Sequence, residues 1–446
     1  MEAIGKVSAC ERYPATVEDF YFWIQDDTIV RPFDIVKVKH YRGSVTYGVI
    51  EEITHITDGS GHIASYVSSD FGDVASDPAT LRLGLSFIKC GVLSNHSRDP
   101  EYPEQIYMPM QDGAPVFFAE EEEIIEALGL RDIPPEKSIP AGFIETTSTT
   151  VPISLNKDFL IGPEGAHLNI SGISGLATKT SYAMFLLQAL QQKQDDVAII
   201  ALNVKKDDLL RLDEENPKIA RTLDDYTKAG LECKPFENVK YFYPFQDLRG
   251  KALNSNTYLS EQTLEQQYNQ DKAFNYIYTY EKDRENLELL FSNIDDPNQT
   301  MESILNEIME NTEFDGLMWD TFLDELKEYT QKGHSKGKEI TVTSWRKFLR
   351  LIRKSIKHDI FQGVAGAPPK RQCRLREYIY NIRSNEVYAI DIAKLDEQLQ
   401  CFVFGDIVKS VYNLKLGGIN QDDDDFPDRD DADIPKHIVI FVDELN

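Results

Sequence analysis

Long apolar runs are missing from this 446-residue chain. No stretch of about 18 apolar residues occurs, so no transmembrane helix and no membrane partner are expected. The first residues, from Met1 to Pro14, lack a charged-then-apolar leader, and no signal peptide is expected. Cysteine is sparse. Cys10, Cys90, Cys233, Cys373 and Cys401 are scattered, and none forms a Cys-x-x-Cys pair. That argues against a zinc site or a disulfide framework and for a reducing, cytoplasmic location. The 8 histidines show no metal-ligand spacing, so no protein-held zinc is expected. Positive charge is also in short supply: 47 Lys and Arg against 75 Asp and Glu leave a net charge of −28. An acidic bulk charge disfavours simple wrapping of nucleic acid, and any DNA contact needs basic residues gathered on one surface, such as a channel lining.

What is present is ordinary globular composition, 41% hydrophobic and 27% charged, in a chain long enough for two or three domains. The first hundred or so residues read as β. Ile4–Cys10, Phe33–His40, Ser44–Ile53 and Leu81–Val92 are short, rich in Val, Ile and Tyr, and bounded by Gly, Pro and Asp. Gly48 interrupts one of them, which suggests a bulge or a barrel corner. A helix is expected at Ala119–Leu128, where Glu120–Glu123 fill a first turn and suit the helix dipole. Arg131–Gly142 holds Pro134, Pro135 and Pro140 and reads as the start of a linker. The expected organisation is a small β-barrel over 1–130, a linker over 131–152 and an α/β domain from 153 to 446.

In that second domain, His167–Ser171 reads as a short apolar strand, Ser181–Gln192 as an apolar helix, and Val197–Val204 as a buried parallel strand. Strand, loop, helix and strand make a βαβ unit, hence an α/β fold with a parallel sheet. Residues from about 250 to 362 read as a helical insertion without a convincing strand, with helices over Asp271–Phe291, Met301–Glu310, Leu317–Lys332 and Ser344–Phe361. Gly363–Arg371 marks its exit. Strands at Glu386–Ile392 and Lys436–Val442 flank a helix near Cys401–Leu414, and the acidic run Gln421–Asp433 reads as a solvated loop.

Two motifs carry chemistry. In the first, a strand delivers the chain to Gly172, and Gly175, Leu176, Ala177, Thr178, Lys179, Thr180 and Ser181 lead into a helix. Backbone N–H groups in such a loop cradle phosphate oxygens, and the helix dipole adds to the attraction. Lys179 can reach the β- and γ-phosphates, and the Thr180 hydroxyl can hold Mg²⁺. The spacing departs from G-x-x-x-x-G-K-[ST]: Gly172 to Lys179 is one residue longer, and Thr178 stands at the usual Gly. The competing reading is an ordinary Gly-rich βα turn. In the second motif, the apolar strand from His437 to Val442 ends in Asp443 and Glu444. Asp443 suits the Mg²⁺ shell, and Glu444 can orient and deprotonate an attacking water. Together the motifs point to ATP with Mg²⁺ as cofactor and to hydrolysis through Lys179 and Glu444.

Further residues resemble the HerA-type ATPases of the HerA–FtsK superfamily. Ile4-Gly-Lys-Val and Thr46-Tyr-Gly-Val-Ile are similar to the barrel that precedes the motor in that family. The run from Asn203 to Asp213, Glu386–Leu395 with Gln400–Tyr412, and the ending from Val442 to Asn446 resemble its later strands and helix. Gly175-Leu-Ala-Thr-Lys-Thr-Ser181 looks like the variant loop of one bacterial branch. The resemblance covers most of the chain and implies a RecA-like motor in a hexameric ring, with ATP at subunit interfaces and double-stranded DNA through the centre. It also implies a partner nuclease in DNA-end processing, or a nuclease or NAD-consuming effector in anti-phage defence. Such motors continue past the point where this sequence stops at Asn446, with a sensor residue and a basic residue that reaches the neighbouring ATP. An alternative left open is an oligomeric scaffold that binds nucleotide structurally and regulates an effector nuclease.

Weaker candidates remain. The stretch from Trp345 to Lys357 is strongly basic; it reads as a solvated helix face sooner than as a DNA contact. Arg374, Arg376 and Arg383 are arginine-finger candidates, weighed against structural ion pairing. His167 reads as a strand-edge residue.

Overall fold

The computed structural model describes residues 2–68, 70–75, 83–102, 104–163, 165–172, 178–217, 222–248, 253–291, 299–331, 340–362, 371–416 and 433–443. They divide into two compact units, 1–168 with 218–233, and 169–217 with 234–446.

The first unit is built on a closed antiparallel barrel of six strands: β1 (Gly5–Val7), β2 (Asp19–Ile24), β3 (Ile35–Lys39), β4 (Val45–Thr57), β5 (Gly84–His96) and β6 (Pro115–Phe118), in the order β1-β2-β5-β4-β3-β6. The alternation in β2 explains the closure. Phe20 and Phe22 point into the core, where Val36, Val38, Ile50, Ile88, Cys90 and Val116 meet them, while Tyr21 and Trp23 face out. Gly48 is the expected bulge. The β4–β5 register shifts between Tyr47 and Gly48, and a Cβ at Gly48 would lie 2.7 Å from the Phe20 ring, so glycine is what lets that ring fill the barrel. A helix α1 (His62–Ser68) lies between β4 and β5. Outside the barrel, α2 (Glu121–Ala127) opens with a capping box between Glu120 and Glu123 and covers Tyr47. The Tyr47 hydroxyl donates to Glu126 at 2.8 Å, and Arg98 pairs with the same carboxylate.

Residues 131–152, expected as a linker, are part of this unit. Two 3-10 turns lead into the hairpin β7 (Ser138–Glu145) and β8 (Thr150–Asn156), followed by α3 (Lys157–Leu160). Pro140 is accommodated where the β7–β8 register shifts, between Pro140 and Gly142, so the proline signal marked a hairpin irregularity and not a boundary. The change of unit falls at Leu168 and Asn169, inside the segment His167–Ser171 that the sequence marks as a strand. No strand forms there. Apolar residues alone do not make a strand without a partner for their backbone groups, and this segment is the passage from one unit to the other.

The second unit holds a fully parallel sheet of six strands: β9 (Val197–Asn203), β10 (Val239–Pro244), β11 (Ala273–Tyr276), β12 (Gln372–Cys373), β13 (Val387–Asp391) and β14 (His437–Val442). Their order is β12-β11-β10-β13-β9-β14, and β9 and β13 are buried along their whole length. Helix α4 (Thr178–Lys193) leads into β9, while α5 (Leu223–Lys228) belongs to the first unit. The segment expected as purely helical is not. It holds α6 (Glu261–Asn269), then β11, then α7 (Tyr280–Asp283), α8 (Thr300–Glu310), α9 (Trp319–Tyr329) and α10 (Val342–Ile356). The helix expected over Asp271–Phe291 is replaced by β11, α7 and a 3-10 stretch. With Ala273 and Tyr276 as its only fully buried apolar side chains, β11 is too short for period-2 patterning to register. Trp319, Phe322, Trp345 and Phe348 share one apolar cluster with Ile200, Phe242 and Tyr276 of the sheet, so these helices extend its core. After β12 come α11 (Leu375–Tyr380) and, following β13, α12 (Glu397–Leu416). Most of the acidic run and most of 363–371 lie outside the described residues.

Candidate functional site

Open parallel sheets place ligands beyond the carboxyl ends of their strands. Here three neighbouring strands bring polar residues to that edge. Asp391 of β13 is in register with Asn203 of β9, and Val442 of β14 is in register with Leu202, which sets Asp443 beside Asn203. Asp391, Asn203 and Asp443 therefore form a row along that edge.

The helix start meets this row. Thr178 opens α4, and Lys179, Thr180 and Ser181 occupy its first turn. The Thr180 hydroxyl donates to Asp443 Oδ2 at 2.9 Å. The two sequence motifs, 263 residues apart, thus meet in one place. Gly172 lies against the lysine: a Cβ there would be 2.9 Å from Lys179 Cγ and 3.3 Å from Thr178 Oγ1. The absent side chain leaves room for the Lys179 stem. Gly175, Leu176, Ala177 and Glu444 lie outside the described residues. Ser181 is exposed on the first turn, and Tyr182 stacks on Phe185 at 6.1 Å.

Two functional-looking residues escaped the sequence reading. Asn203 donates to Asp391 Oδ1 at 2.8 Å, and burial pushes the Asp391 carboxyl up to about 6. The available signal was a polar residue at the end of each apolar strand, the same signal that singled out Asp443.

The arginine candidates separate. Arg374 donates to Asp283 at 3.0 Å with both side chains buried, and Arg376 donates to Glu285 at 2.7 Å with Asp406 3.8 Å away. Burial raises the carboxyl of Asp283, and that of Asp406 to about 6. Committed to these partners inside the protein, Arg374 and Arg376 are not free to reach a neighbouring phosphate, which corrects the finger reading for both. Arg383 is exposed, and its backbone N–H donates to Glu386 at 2.9 Å. On α10, Trp345, Phe348, Ile352 and Ile356 are buried while Arg346, Lys347, Arg350, Arg353, Lys354 and Lys357 are exposed; Lys354 pairs with Asp396 at 2.7 Å. His167 is exposed and belongs to no strand. Among the described residues, no group of His, Cys, Asp and Glu is arranged to hold a metal by itself, and no helix is long and apolar enough to cross a membrane.

No protein-family model matches the chain, and no curated protein matches it closely enough in sequence to count as a relative.

Proposed function

We propose that this chain binds and hydrolyses ATP with Mg²⁺ in a RecA-like P-loop domain, as one subunit of a hexameric ring that moves on double-stranded DNA. The observation that carries the nucleotide reading is the 2.9 Å hydrogen bond between Thr180 and Asp443, which joins the start of α4 to the residue that follows the apolar strand β14. Hard oxygen donors suit Mg²⁺. In this reading Thr180 and Asp443 would hold the ion, which would supply positive charge to the phosphates of a bound nucleotide. Lys179 carries its positive charge to the same phosphates, with its stem laid over Gly172. Backbone N–H groups at the start of α4 would bind phosphate oxygens, and Glu444, outside the described residues, would orient and deprotonate the attacking water.

The ring, the DNA and a partner nuclease or defence effector rest on the resemblance to HerA-type ATPases. The barrel followed by a parallel α/β unit is compatible with it. The net charge of −28 requires the DNA-facing cations to be gathered inside the ring. The same acidity, with Thr178 in place of the usual loop glycine, favours a second reading: a nucleotide-stabilised scaffold that assembles and regulates an effector nuclease with little translocation.

Turnover of ATP by the purified protein, with and without double-stranded DNA, together with its native mass in ATP·Mg²⁺, decides between them. A ring with DNA-stimulated turnover supports the motor. ATP-dependent assembly without stimulation supports the scaffold. A monomer that turns over no ATP under any condition overturns both.

A further inference from the structure

The turn that follows β9 is held in an uncommon shape. Lys206 adopts a positive φ of 48°, a left-handed conformation that costs a non-glycine residue about 1 kcal/mol or more. Buried groups fix it there. Asn203, 1% exposed, donates to the Lys206 carbonyl at 2.7 Å and to Asp391 Oδ1 at 2.8 Å. Its own Oδ1 accepts from the Leu209 N–H at 3.2 Å, so one side chain ties both ends of the turn. Asp391 is wholly buried and is held in turn by the Ala393 N–H at 3.1 Å. Two buried polar residues are thus spent on maintaining a strained lysine.

The lysine has a reason to be there. Asn203 is the member of the edge row next to Asp443, so the turn begins beside the Thr180–Asp443 pair. Lys206 is exposed and pairs with no acid among the described residues, although acids outnumber bases 75 to 47 in this chain. Asp207 and Asp208 follow Lys205 and Lys206, so the turn carries no net charge. Its placement, and not bulk attraction, would serve an anion.

We infer that Lys206 is a second phosphate-binding cation of the site, presented to the triphosphate of a bound nucleotide by the Asn203–Asp391 pair. This rests on the nucleotide reading above. It adds a residue from the turn after β9 to a phosphate site otherwise built from Lys179, Thr180 and Asp443.

The test uses three variants of the full chain, Lys206→Gly, Lys206→Ala and Lys206→Arg, in fluorescent-ATP binding with Mg²⁺ and in thermal unfolding without nucleotide. Glycine accepts the left-handed backbone, so Lys206→Gly unfolds at or above the wild-type midpoint and yet binds ATP about tenfold more weakly. Lys206→Ala weakens binding equally, and Lys206→Arg retains it. If the wild-type protein binds ATP and the Gly and Ala variants match it, the inference is overturned while the nucleotide reading survives. If those variants lose affinity for double-stranded DNA and keep it for ATP, the lysine serves a nucleic-acid backbone and the inference is also overturned. If the wild type binds no ATP, the nucleotide reading fails first.

Discussion

Thr180 gives its hydroxyl proton to a hydrogen bond with Asp443, a residue 263 positions later in the chain. Helix α4 supplies one partner and the end of edge strand β14 the other. The bond is local chemistry produced by long-range folding, and the first prediction follows from it.

Thr180→Ala and Asp443→Asn weaken Mg²⁺-dependent nucleotide binding, whereas Thr180→Ser, which keeps the hydroxyl, retains it. Lys179→Ala lowers turnover by about 10²–10³, the usual cost of removing a group that neutralises developing charge. Steady-state ATPase assays across Mg²⁺ concentrations check all four. Wild-type turnover in Lys179→Ala would remove that lysine from the mechanism.

Gly172→Ala separates folding from binding. The new methyl lies 2.9 Å from Lys179 Cγ, and a flexible lysine yields before a backbone does. The fold is retained, with an unfolding midpoint near that of the wild type, while the displaced ammonium costs about tenfold in ATP affinity. Titration calorimetry paired with thermal unfolding reads the two effects separately.

Arg374→Met leaves Asp283 buried without its partner. Removing one member of a buried pair costs about 3–5 kcal/mol, because the remaining charge is uncompensated. Urea unfolding should show a loss of that size. A near-neutral result would mean that Asp283 is held protonated, in line with the upward push that burial gives its carboxyl.

In the barrel unit, Glu126 accepts from Arg98 and Tyr47, and Arg98 above all holds its carboxyl at about 2. A carboxyl whose folded pKa is depressed adds stability above its ordinary pKa and loses it as pH falls toward the folded value. The wild-type protein therefore loses stability between the ordinary carboxylate range and pH 2, and Glu126→Gln flattens that part of the curve. Unfolding midpoints measured from pH 6 to pH 2.5 test this; parallel curves for the two proteins would rule it out.

Much of the architecture was legible in the chain. Strands β1, β3, β4 and β5 stood out as short segments rich in Val, Ile and Tyr bounded by Gly, Pro and Asp, and β9, β13 and β14 because buried parallel strands are apolar runs. Helices α2, α4, α8, α9, α10 and α12 were expected, α2 from its first-turn acids and α4 from its apolar run, whereas α1, α3, α5, α6 and α11 were not. β2, β6, β7, β8, β10, β11 and β12 were missed; β11, for one, is brief and sits in polar sequence, so its identity comes from the neighbours it pairs with. His167–Ser171 failed in the opposite direction, apolar enough for a strand and yet without one.

The site divides along the same line. Lys179, Thr180 and Asp443 were readable singly, since a Lys-Thr behind a glycine loop and an acid ending an apolar strand are local patterns. Their meeting was not readable, because only the parallel sheet brings 180 and 443 to one edge. Nor could sequence reveal the burial that confines Arg374 and Arg376, the register that sets Asp391 beside Asn203, or the left-handed backbone of Lys206. Composition and periodicity determined which segments fold and which residues have the chemistry to act. Register, burial and backbone conformation are pairwise quantities, and only the tertiary structure decided them.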